Sequence, residues 1–299
     1  MEKKLILRGL LSGLFAGILA FVFARLLAEP QISRAVDYES GREAAQAALD
    51  KAAGLPVAAP EPEIFSRTIQ ANVGVGVGIV AFAVALGGLY AVAYSISYGR
   101  VGAVRARPLA LLVALGGFLT VYFVPFLKYP ANPPAIGDPD TIRERGALYL
   151  CLVAGTVVLG VLTVILGRQL RAHYSAWTST LLAAAGFVVL AGILIALLPS
   201  FGSLSVGSPS TDIPQPLTAP DGHLAYPGFP ADTLFRFRLY SVGAQVVLWT
   251  TLGLVFGPLA RRLLEPAAAR PGLPQPQAQQ AGVAGRSSAA VNPAAGGAS

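Results

Sequence analysis

Residues 68–99 read TIQANVGVGVGIVAFAVALGGLYAVAYSISYG, thirty-two positions without an Asp, Glu, Lys or Arg. A helix needs about 20 mostly apolar residues to cross roughly 30 Å of hydrocarbon, so this stretch marks a membrane span. Working outward, five further uncharged runs occupy residues 9–24, 108–127, 146–167, 174–211 and 239–260. The first is shortest, but residues 5–27 reach spanning length if Arg8 and Arg25 extend their stems toward opposite interfaces. The reading is an all-α integral membrane protein with six transmembrane helices, near residues 5–27, 71–94, 108–127, 147–166, 180–198 and 239–260. These spans make a polytopic membrane domain over 1–265. Residues 266–299 are mostly Ala, Pro, Gly and Gln, a composition that predicts a disordered cytoplasmic tail.

The charges between the runs give the orientation. With the N-terminus inside, the inner segments carry twelve Lys or Arg against Glu2 and Glu265, a net +10. The outer segments carry ten basic and thirteen acidic residues, a net −3. The short loops holding Arg100, Arg105 and Arg107, and Arg168 and Arg171, are purely basic. Short-loop Lys and Arg decide topology, so both termini are expected to be cytoplasmic and the chain to be multi-pass in a bacterial plasma membrane. The net charge of +7 therefore reflects membrane orientation. No basic patch is large enough for nucleic acid, and the expected surroundings are the lipid bilayer.

Local signals fill in the frame. Residues 1–8 and Val22-Phe23-Ala24 resemble a signal peptide, but Gly9, Gly13 and Gly17 at four-residue spacing make a surface for close helix approach, which favours a retained span. Residues 28–67 read as an outer loop with its own helix, begun by the capping box Ser40-Gly41-Arg42-Glu43 and stopped by Gly54 and Pro56. Gly74 and Gly78 read as helix-packing positions, and Tyr90, Tyr94 and Tyr98 as an interfacial aromatic belt. Asp138-Pro139 reads as an N-cap with proline at the first helical position, and Asp232 as the N-cap of the last helix. No internal repeat is visible.

Chemistry is sparse. The two histidines, His173 and His223, fall on opposite sides, and Cys151 reads as a small packing residue of the fourth span. No span carries a charge near its middle, where proton relays usually show themselves. No nucleophile–base pair or metal triad is visible, so the chain is not expected to be an enzyme. No Gly-x-x-x-x-Gly-Lys motif occurs, so any ATP drive would come from another chain. Asn72 and Gln245 fall just inside the outer interface and could line an outer vestibule, although hydrogen bonding between helices explains such residues as well. The outer face gathers nearly all the carboxylates with His223, and oxygen and imidazole ligands suit hard or borderline divalent cations.

The loops are more specific. Lys128-Tyr-Pro-Ala-Asn-Pro-Pro, Gly137-Asp-Pro-Asp-Thr, Phe229-Pro-Ala-Asp and Phe237-Arg-Leu, with Glu29-Pro30 and Tyr38-Glu39, resemble the CbtA family of predicted cobalt transporter subunits. The resemblance covers about residues 1–265. It implies an inner-membrane protein importing cobalt(II) as cargo, with no permanently bound cofactor. It also implies a small single-span partner, CbtB, with a histidine-rich metal-binding end, and about five spans where the charge pattern gives six. A homo-oligomer is compatible with the same features. The acids expected to meet the metal are Glu29, Glu39, Asp138, Asp140 and Asp232, with Asn72, Gln245 and threonines along the path. The alternative is a non-transporting membrane anchor or assembly subunit whose outer loops bind another envelope protein. The orientation is open to test: a fluorescent-protein fusion after residue 265 should fluoresce in the cytoplasm, and an alkaline phosphatase fusion at that point should be inactive.

Overall fold

The computed structural model describes residues 2–57, 65–200 and 212–265. The proposed tail, Glu61 and Glu63 lie outside the described residues. Six helices are long and apolar enough to span a membrane: α1 (Glu2–Ala52), α2 (Arg67–Ser97), α3 (Ala106–Lys128), α4 (Ile142–Leu170), α5 (Ala176–Leu197) and α6 (Ala231–Leu264). Helices α1, α2, α3 and α6 pack in a ring, each against two of the others. The α4–α5 hairpin attaches from outside, through α4 on the middle of α3. A two-stranded antiparallel ribbon, β1 (Leu217–Thr218) and β2 (Leu224–Tyr226), precedes α6.

Close backbone approach sets the ring. Gly9 and Gly13 lie so near α2 that a Cβ on either would strike the carbonyls of Gly87 and Ala83. Gly17 opens onto the Ala83 methyl, completing a small-residue seam that lets two helices touch along their backbones. The partner surface on α2 is Ala83 and Gly87. Gly74 and Gly78, expected to pack, instead meet almost nothing. Two of the three tyrosines also differ from expectation. Tyr90 and Tyr94 are buried, and their hydroxyls donate to the carbonyls of Ala110 and Ala106 on α3 at 2.5 and 3.1 Å. Both rings meet the edge or face of Phe256 on α6, so this stripe ties α2, α3 and α6 together.

The outer segment after the first span is not a loop with a separate helix. α1 runs unbroken from Glu2 through Ala52. Pro30 lacks a donor and would kink a regular helix. The π turn at Ala24–Ala28 just before it takes up that register change. Ser40, expected to cap, is inside the helix and donates back to the Val36 carbonyl. The stop is as expected: Gly54 takes φ +71, its N–H reaches the Lys51 carbonyl and the Leu55 N–H the Asp50 carbonyl, a Schellman closure. Asp232 is not the N-cap of α6, which starts from Pro230 in extended conformation, leaving Asp232 in the first turn and almost fully exposed. Cys151 lies exposed on the outer surface of α4.

The hairpin docks through a second π turn, Phe118–Phe123, in α3. Widening the helix there lets Thr156 of α4 donate to the Thr120 carbonyl at 2.6 Å while sharing its own Leu152 carbonyl. At the basic end, Glu265 accepts from the Ala106 N–H at 2.8 Å, placing a carboxylate on the positive N-terminus of α3. Two substitutions separate these contacts. Gly13→Leu should lower the stability of the purified protein by about 1–3 kcal/mol or more, because overpacking has no room to relax against a backbone carbonyl. Thr156→Val should cost only about 0.6–1.7 kcal/mol, the range for a side-chain hydrogen bond between membrane helices. Thermal melts in one detergent check both.

Candidate functional site

At the end of the ring opposite Glu265, the chain builds a polar junction from helix starts and helix turns. The π turn of α1 (Ala24–Ala28) and that of α2 (Gln70–Gly74) lie side by side, because Arg25 Nε donates to Asn72 Oδ1 at 2.8 Å. One turn further along α1, Glu29 is buried and pairs with Arg67 at 2.5 Å. Only one carboxylate oxygen is engaged. Glu29 Oε2 and the Arg67 Nε have no hydrogen-bond partner among the described residues. Gln31 and Thr233 are buried in the same segments of α1 and α6.

Above this layer sits a second, smaller core. Ala35 and Tyr38 of α1 meet Ile136 of the proline-rich loop and Phe229 and Leu234 at the start of α6. Tyr38 lies 4.9 Å from Phe229 in an edge contact and 5.4 Å from Tyr226, and its hydroxyl donates to the Pro227 carbonyl at 3.0 Å. Asn132 accepts from Arg238 at 2.8 Å, which fastens the proline loop to α6. Ala135 is held at φ +67, a left-handed conformation that costs a non-glycine residue about 1–2 kcal/mol, and the buried Ile136 beside it fixes the turn. Of the motif positions that carry the family resemblance, Tyr38 and Phe229 are therefore packing residues of this platform, and Asn132 and Arg238 fasten its loop.

The five candidate acids are not gathered together. Glu29 is buried under the platform, Glu39 is half-buried on α1, and Asp140 and Asp232 are exposed. Asp138 accepts from the Asp140 N–H at 3.0 Å, so it caps the 3-10 turn Pro139–Thr141 that leads into α4, close to its expected role. Among the described residues no three His, Cys, Asp or Glu side chains come together as a metal-binding group. Of the two path residues, Asn72 is engaged by Arg25 and by its own Thr68 carbonyl. Gln245 faces a cavity of about 340 Å³ between α1, α2 and α6, opposite Gly78 and Ala20. Gly78 thus borders open space and makes no helix contact.

Three residues carry more than their sequence signal announces. Arg67 counts in the sequence as one more loop charge, yet it is the counter-ion of the buried carboxylate. Asp221 and His223 form a pair at 2.5 Å on the exposed turn of the ribbon. Hydrogen bonds from the His223 N–H and ring hold the Asp221 carboxyl below the usual carboxylate range. With Nδ1 turned to the carboxylate, the ring presents Nε2 to solvent.

A family model described as probable cobalt transporter subunit (CbtA) matches residues 2–261. Comparison with curated proteins and with solved structures found no match.

The Glu29–Arg67 pair makes a double-mutant test. Removing one partner strands the other in a poorly solvated place, whereas removing both does not. Arg67 is one-third exposed, so its screening reduces the loss below that of a fully buried pair. Arg67→Gln should destabilise the purified protein by roughly 1–3 kcal/mol, and adding Glu29→Gln should restore most of it. Additive losses in the thermal melts would show the pair to be uncoupled.

Proposed function

We propose that this chain, which belongs to the CbtA family of probable cobalt transporter subunits, is the membrane-spanning subunit of a divalent-cation importer in a bacterial plasma membrane, with both termini cytoplasmic and cobalt(II) as cargo. In that orientation the platform and the polar junction face outward. The observation that carries the reading is the buried Glu29 carboxylate, with one oxygen on Arg67 and the other without a hydrogen-bond partner. A guanidinium in that position stands where a metal cation could replace it, and because a divalent ion carries one more positive charge than the guanidinium, a second anionic ligand would have to come with it.

The chain holds only two histidines and a single cysteine, so cobalt ligands of intermediate softness have to come largely from elsewhere. A single-span partner with a histidine-rich end would supply them. Cobalt would be met first by the partner's imidazoles, by the exposed acids Asp140 and Asp232, and by the half-buried Asp138 and Glu39. It would then be handed to Glu29 as Arg67 withdraws, with Asn72 and Gln245 on the inward side of that step. Cobalt is cargo in this scheme, so no permanently bound metal is invoked, and no catalytic residue is assigned.

A second reading has one feature in its favour. The α1 extension, the proline loop and the ribbon form a packed platform, which is what a docking or assembly subunit presents to an envelope partner. Uptake separates the two. Cells carrying this chain with its single-span partner should accumulate radiolabelled cobalt well above cells carrying the partner alone. Glu29→Gln combined with Arg67→Gln, which avoids stranding either partner, and the triple change Glu39→Ala, Asp138→Ala, Asp140→Ala should lower uptake at normal membrane abundance. Equal uptake with and without the chain would overturn transport, and loss of abundance in step with uptake would support the assembly reading.

A further inference from the structure

Gln245 is the one carboxamide in the uncharged run of α6, six residues and about 9 Å past the start of that run at Leu239. It faces a cavity of about 340 Å³ between α1, α2 and α6. Ala20 and Gly78 border the same space, Leu248 lies one turn further in, and Phe82, which is 55% exposed, flanks it on the side of the bilayer. The Gln245 carboxamide offers two donors and an acceptor, and it has no hydrogen-bond partner among the described residues. An amide taken from water into pure hydrocarbon without a partner costs about 4–8 kcal/mol. An acyl chain in the cavity would leave that cost standing, whereas water removes it. The space holds on the order of ten water molecules at about 30 Å³ each.

Polar groups continue from the cavity toward the Glu29 junction on the same helices. Asn72 lies six residues before Gly78, about 9 Å nearer the start of α2, and it is exposed and accepts from Arg25 at 2.8 Å. The Glu29–Arg67 pair is one further turn along α1. Three polar layers thus follow one another at steps of about 6–9 Å, each step the reach of two or three hydrogen-bonded waters. In the other direction the polarity stops. Leu86, Trp249 and Leu252 are buried and belong to the same core as Tyr90 and Phe256, so the cavity ends on a packed floor.

We infer that the Gln245 cavity is a water-filled chamber open to the outer face and closed toward the cytoplasm, so that the chain as folded is in an outward-accessible state. The naming of the two sides rests on the orientation proposed above, and the chamber deepens that reading. An ion leaving Glu29 would keep water around it as far as Gln245 and would meet the dry layer only at Leu248. The carboxamide marks the inner limit of hydration, with the apolar floor beneath it as the barrier that has to move.

Thiol labelling of the full chain in membrane vesicles provides the test. Cys151 is the only cysteine, so a Cys151→Ala background isolates Gly78→Cys, Gln245→Cys and, as the lipid-facing control on α2, Leu89→Cys, at a position 68% exposed. A charged, membrane-impermeant methanethiosulfonate reacts with thiolate, which forms in water and not in hydrocarbon. From the outer side it should modify Gly78→Cys and Gln245→Cys about tenfold or more faster than Leu89→Cys, and from the cytoplasmic side of inverted vesicles it should leave both unmodified. Adding Gln245→Leu to Gly78→Cys, which keeps the volume and removes the hydrogen bonds, should slow the reaction about threefold or more. If Gly78→Cys and Gln245→Cys react from neither side yet react with lipid-soluble N-ethylmaleimide, the cavity holds hydrocarbon and the chamber is overturned. An unchanged rate in the Gln245→Leu background overturns it as well. Reaction from the cytoplasmic side overturns the closed floor, and reaction from that side alone also overturns the proposed orientation. Labelling needs no cargo, so intact labelling beside a failed cobalt-uptake assay counts for the chamber and against transport.

Discussion

Every polar group that this chain carries into hydrocarbon has to find its partner inside the protein, because no water is there to supply one. That constraint organises the whole bundle. Tyr90 and Tyr94 are tolerated near the C-terminal end of α2 because carbonyls of α3 accept from them. Thr156 is tolerated on α4 because a π turn in α3 directs the Thr120 carbonyl toward it. The hydroxyls become the fasteners between helices that dispersion alone would hold loosely, since lipid tails compete equally well for an apolar face. Where no such fastener exists, small residues substitute, and α1 meets α2 through backbone contact at Gly9, Gly13 and Gly87.

The same constraint explains what could be read from the sequence and what could not. Six spans follow from uncharged length, a property of single segments, and the six long apolar helices agree. The packing face of α1 was legible too, because glycines four apart announce it without knowledge of the partner. The tyrosine stripe was not. Residues at four-residue spacing on a membrane helix look alike whether they face an interface or a neighbouring carbonyl, and only the third helix decides between them. Continuity of α1 was hidden for a related reason: Pro30 and the Ser-x-x-Glu pattern are break signals locally, and a π turn together with packing of Tyr38 against Phe229 overrides them.

The platform motifs show a further limit. Asn132, Arg238, Tyr38 and Phe229 stand out by their neighbours in the sequence, but their roles are pairwise and lie across gaps of a hundred residues or more. Sequence marks them as distinctive while giving no reason. The structure supplies the reason, which is packing and loop fastening, and it moves the chemical interest to Glu29 and Arg67. In the sequence Glu29 is one of five candidate acids with nothing to rank it above the others, and Arg67 does not stand out in a chain whose loop segments carry many charges. Burial singles out Glu29, and burial is a property of the assembled fold.

On the transport reading the packed ring also restricts the route. Its interior is filled by Tyr90, Leu252, Phe256 and Trp249, with no charged group among the described residues of that core to replace a divalent ion's hydration shell. An ion held at Glu29 therefore cannot continue through the ring as packed, and either the α3–α6 contact has to open or the path lies along the ring's margin. The margin has the more suitable groups. Gln245 faces a cavity of about 340 Å³ beside Gly78, and a carboxamide there can offer oxygen without the desolvation cost of a carboxylate. That cavity lies between α1, α2 and α6, the helices that build the Glu29 junction. The short side chains at Gly78, Ala20 and Ala244 keep the space open, and in a helix pair otherwise chosen for close contact such open space is the feature that packing alone does not require.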